Sequence, residues 1–104
     1  MILSTTETLP NREISEVKGI ARGSTVRTRN VGRDILAAFK NLVGGEIEEY
    51  TKLQADAREQ ALQRMKDDAA KYGADAIVNV RFTTSVITQA ASEVLAYGTA
   101  VTLK

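Results

Sequence analysis

The sequence predicts an α+β fold: a two-layer sandwich in which a small antiparallel β-sheet packs against one long and one short helix. Three observations predict it. Across residues 45–73, Ile47, Tyr50, Leu53, Ala57, Ala61, Met65, Ala69 and Tyr72 recur at steps of three or four, the period of one helix face. Residues 14–26, 76–88 and 93–103 instead carry runs with strand preference. The 93–103 run is apolar at both parities, small on one and large on the other, so it needs cover on two sides.

At 104 residues the chain is read as a single domain spanning 1–104. A chain this short buries a modest core, and its apolar content of 43% is rich in Ala and Val, which suits thin layers packed closely. The net charge of +1 supplies no bulk field towards nucleic acid or an anionic membrane, and neither is expected as a partner. Cysteine and histidine are both absent, so no disulfide framework exists. The first ten residues lack the basic and apolar regions of a secretory signal, and the longest apolar run, 35–39, is far too short for a bilayer. The expectation is a soluble, cytoplasmic protein.

Taken in order, residues 2–6 have strand character. Leu9-Pro10-Asn11-Arg12 reads as a turn, with Pro presetting φ at the second position and Asn tolerating the third. The first long strand, 14–26, sets Val17, Gly19, Ala21 and Gly23 on one parity, and Ile14, Glu16, Lys18, Ile20 and Arg22 on the other. Two glycines on one face point either to close approach by another backbone or to a bulge. Residues 27–32 connect to a short helix over 33–43, with Asn30 as a cap and an apolar stripe of Ile35, Leu36, Phe39, Leu42 and Val43. Gly44 fits its C′ position. The long helix opens on Glu46, Glu48 and Glu49, which complement the dipole, and stops at Gly73. From Ile47 to Tyr72 it rises roughly 39 Å. Residues 76–88 form a strand with Val78, Val80 and Phe82 expected on one face, and 89–92 form the turn into the last strand.

That last strand carries the clearest functional expectation. Val94, Ala96, Gly98 and Ala100 make a small face that can accept the long helix. Leu95, Tyr97, Val101 and Leu103 make a large apolar face for which the chain offers no further element. A second copy of the chain is the expected cover, through an isologous or a ring-forming contact.

The side chains exclude much chemistry. Without His or Cys there is no Ser-His or Cys-His nucleophilic pair and no thiolate or imidazole metal site. No P-loop pattern occurs. Glu46 and Glu49, one turn apart, could act as an acid/base pair or hold a hard cation; the plainer reading is a solvated helix start. Arg27, Arg29 and Arg33 form a basic stretch beside a helix N-terminus, suited to an anion or nucleotide at a subunit interface; the plainer reading is a solvated loop. No aromatic is interleaved with them, which disfavours single-stranded nucleic acid. No enzyme activity, cofactor or metal ligand is expected.

Arg33-Asp34-Ile35, Asn41-Leu42-Val43-Gly44-Gly45, Tyr50, Ala57-Arg58 and Gly73-Ala74-Asp75-Ala76-Ile77-Val78, with Ser4-Thr5-Thr6 before them and Gly98-Thr99-Ala100-Val101 after, resemble the YbjQ-like family of small bacterial proteins. The resemblance runs over nearly the whole chain. It implies a two-layer α+β protein in a ring-shaped homopentamer, under a heavy-metal-binding label without an established role. Many members place a Cys before a glycine in the first long strand; here Lys18 precedes Gly19. No metal ligand is therefore carried over.

Overall fold

The computed structural model describes residues 1–28, 46–88 and 91–104, with side chains described for 1–26, 55–88 and 91–104. Strands β1 (Ile2–Leu3), β2 (Ile14–Thr28), β3 (Ala76–Thr88) and β4 (Ala91–Leu103) form a four-stranded sheet, and helix α1 (Glu46–Lys71) crosses one face of it. The order is β1-β3-β4-β2. The predicted helix over 33–43 lies outside the described residues.

The sheet is mixed rather than wholly antiparallel. β2 and β3 flank β4 antiparallel, but β1 runs parallel to β3, Ile2 opposite Ala76. The N-terminal segment continues along the same edge, where the Ser4 amide donates to Ile77 O (2.9 Å) and the Val80 amide donates back to Ser4 O (2.9 Å). Alternation reports which face a residue takes, and says nothing of strand direction.

Helix α1 packs chiefly over β2 and β4. Ala57, Ala61, Met65 and Ala69 are buried as the stripe requires, against Ala21, Ile77, Val80, Val94, Ala96 and Ala100. Gly23 explains how so small a stripe makes a core. A Cβ there would lie 2.3 Å from both Ala61 O and Met65 N, the two ends of one helical hydrogen bond, so the strand backbone touches the helix backbone. The other predicted glycine role falls to Gly19, which takes φ +143° at a bulge with open space around it.

The helix stops at Gly73 as expected, but its buried stripe ends at Ala69 and leaves out Tyr72. Gly73 (φ 71°) donates to Ala70 O (3.0 Å) and Ala74 donates to Ala69 O (3.3 Å), a Schellman stop that turns Tyr72 out into solvent. At the N-terminal turn, Asn11 adopts φ 62° and Arg12 N–H donates to Leu9 O (3.2 Å), the geometry the Pro-Asn pair calls for.

Bulges correct two face assignments. Between Val17 and Gly19, β2 spends an extra residue against β4, so Val17 leaves the helix face and is exposed on the opposite one. Between Val78 and Arg81, Asn79 at φ 55° does the same to β3. Val80 enters the helix-side core while Val78 joins a second cluster on the far face.

Candidate functional site

With α1 over one face, the far face of the sheet is the surface left open among the described residues. Residues paired across an antiparallel ladder share a face. The register therefore sets Val17, Ile20, Arg22, Ser24 and Val26 of β2 beside Val101, Thr99, Tyr97, Leu95 and Glu93 of β4. Val17, Ile20, Val26 and Tyr97 are exposed, Ile20 at 68%, and Leu95 is half-buried.

One end of this face is covered from within the chain. Val101 is fully buried with Ala76 and Val78, and Leu9, Ile14 and Leu103 pack against them. This corrects the expectation that no element remains to cover the large face of the last strand: the turn at Leu9 does so. Val101 has no side-chain surface left for a partner, and Leu103 is partly used. Leu95 and Tyr97 remain available, joined by Val17, Ile20 and Val26. Ile20 stands in the sequence beside Ile14 as one of two apolar residues of its parity. Val17 was hidden by the bulge.

The outer edge of β2 is closed at its middle by the helix. Asp68 Oδ2 accepts from the Arg22 amide (3.0 Å), and Arg64 Nη1 donates to Ser24 O (2.5 Å). These side chains take backbone groups that would otherwise be open to another strand. On the opposite edge, Arg81 Nη1 donates to Thr5 O and Val80 O, each at 2.9 Å, where the N-terminal segment leaves β3.

Arg29 and Arg33 lie outside the described residues, as do the side chains of Arg27, Glu46 and Glu49. Arg27 falls near the end of β2, and Glu46 and Glu49 within the first turn of α1. Lys18, at the bulge, pairs with Glu16 (3.2 Å). Among the described residues no three potential metal ligands come together, and no helix is long and apolar enough to cross a membrane.

The fold and surface define a class: a small α+β chain with one sheet face packed against a helix and the other carrying exposed apolar side chains. The chain belongs to the YbjQ-like family, whose model, described as "Putative heavy-metal-binding", matches residues 1–104. A UPF0145 protein of Archaeoglobus fulgidus is 60% identical over 104 residues, covering 100% of this chain and 96% of that one. One from Vibrio campbellii is 55% identical over 103 residues, covering 99% of each. The family thus spans archaea as well as bacteria. A crystal structure of a protein of unknown function from Pediococcus pentosaceus, assigned to the DUF74 family, shares the fold at TM-score 0.67 and 18% identity, covering 100% of this chain and 98% of that one.

The family's metal description does not fit this chain's donors. Heavy metals of soft character take thiolate and imidazole ligands, and the sequence has neither Cys nor His. Lys18, an ammonium paired to a carboxylate, repels a cation.

Proposed function

We propose that this protein is a non-enzymatic homo-oligomer whose copies associate through the open face of the sheet, with a ring of five as the assembly the family resemblance implies. The observation that carries the reading is the exposure of Val17, Ile20 and Tyr97 on the face opposite α1, with Val26 on the same face beyond Arg22 and Ser24. Single surface apolar residues are ordinary, but several large ones grouped on one sheet face support an interaction surface. Self-association also suits a chain short of catalytic side chains.

Native mass spectrometry and sedimentation velocity test this. The wild type is expected at a multiple of its 11.3 kDa mass, and Ile20→Glu with Tyr97→Glu is expected to lower it. Both positions are exposed, so the folded protomer should survive. A wild-type monomer, or an unchanged sedimentation coefficient in the double variant, overturns the reading.

A further inference from the structure

The last stretch of β3 is unlike the rest of the sheet. All of residues 81–88 are exposed, although they pair with β4 on one side. The N-terminal segment covers the outer edge of β3 as far as Val80, and Arg81 closes it there. Across residues 82–87, no described residue bonds to that edge. The Val80 amide points outwards to Ser4 O, so alternation directs the backbone groups of Phe82, Thr84 and Val86 outwards as well.

The sequence there is Phe82-Thr83-Thr84-Ser85-Val86-Ile87, with no charge, Pro or Gly, and no ionisable residue follows until Glu93. Natural edges are blunted by charge, Pro, bulges or a covering element. The other edge of this same sheet shows such blunting, through Arg64 and Asp68 on β2. We infer that residues 82–87 of β3 are a strand-addition site, and that its occupant is an extended strand of a second copy of this chain.

Three observations favour a second copy over a foreign peptide. A ribbon exposed on both faces, with Val86 at 79%, is marginal without further cover, so the cover must be always at hand. The tract carries no charge that would select a charged partner or repel a copy of itself. It is also continuous with the open face, since Thr83 lies opposite Leu95 and Arg81 opposite Tyr97. The inference rests on the self-association proposed above and adds a second contact to it.

The test is sedimentation velocity on full-length Thr84→Pro and Val86→Lys, beside the face variant Tyr97→Glu. Thr84→Pro removes an outward N–H and leaves the ladder to β4 intact. Val86→Lys puts a charge on the edge at an exposed site, and serves if Thr84→Pro unfolds. Each is expected to weaken self-association by about fivefold to thirtyfold. Wild-type assembly in both edge variants overturns the inference. If Tyr97→Glu alone dissociates the protein, the face contact stands and the edge contact falls. If the edge variants alone dissociate it, the reverse holds. A wild type that is monomeric at every concentration removes both.

Discussion

Replacing Gly23 by Ala puts a methyl group where the helix backbone already is. The added Cβ would sit 2.3 Å from Ala61 O and Met65 N, and 2.7 Å from the Arg64 carbonyl carbon. Real Cβ atoms stay beyond 3.0 Å, so α1 must retreat by about 0.7 Å. No flexible side chain can yield instead, because all three obstacles are backbone. A radial gap of about 0.5–1 Å forfeits a quarter to a half of each dispersion contact. Here the loss runs along Ala57, Ala61 and Ala69, whose short side chains cannot follow the sheet, and only Met65 is long enough to adjust. Overpacking of this kind costs about 3 kcal/mol or more, the upper end of its range. In a domain of this size that lowers the melting temperature by about 12–24 °C. Gly19→Ala is the comparison: nothing lies within 4 Å of its added Cβ, and the cost is confined to φ +143°, about 1–3 kcal/mol. Differential scanning calorimetry of the two variants decides the matter. If Gly23→Ala melts within about 4 °C of the wild type, the helix does not rest on the strand backbone and the account of the core is wrong.

Thr25→Val should raise stability by about 1 kcal/mol, because the buried Thr25 Oγ1 has no hydrogen-bond partner among the described residues and Val keeps the shape; a loss on thermal melting would mean the hydroxyl is bonded. Asp75→Ala should cost about 1 kcal/mol, because Asp75 Oδ2 accepts from the Leu103 amide at 2.8 Å and fastens the end of β4. A lower urea midpoint at unchanged slope is the expected result, with Asp75→Asn retaining most of the stability, and an unchanged midpoint in Asp75→Ala would refute the role. Titration with Cd²⁺ in a thermal-shift assay should leave the melting temperature unmoved, since a ligand held by the native state alone must raise it. A saturable rise would show that oxygen donors suffice for a metal site in this family.

Much of the architecture was legible because it depends on local period. The steps of four from Ala57 to Ala69 require a helix against a flat partner, and the small parity of 94–100 supplies that partner. Gly73 marked the helix stop, and Pro10-Asn11 marked the turn, because each supplies a backbone conformation that few residues adopt. What alternation could not carry was its own interruption. One extra residue at Lys18 and one at Asn79 reverse the faces across them; Gly19 pointed to the first without fixing its register, and nothing around Asn79 separated the second from a continuous strand. Strand direction was illegible for a related reason: Ile2 and Leu3 satisfy the edge of β3 in parallel, and their side chains read the same in either sense.

The candidate surface depends on a further distinction that residue type does not encode. Val101 and Tyr97 share one parity of one strand, yet the first is sealed and the second exposed. The difference is made by Leu9, brought over that end of the sheet by a turn remote in sequence. An apolar residue on a strand states only that it needs cover. Whether its own chain provides that cover is decided by non-local packing, and the residues left without it are where a second chain gains most by binding. The donor chemistry follows the opposite logic. Soft-metal ligation rests chiefly on thiolate and imidazole, and a chain with neither Cys nor His lacks both in any fold. The absence of thiolate and imidazole donors was therefore legible in the sequence, whereas the candidate surface required the bulges, the N-terminal turn and the edge of β3 to be seen together.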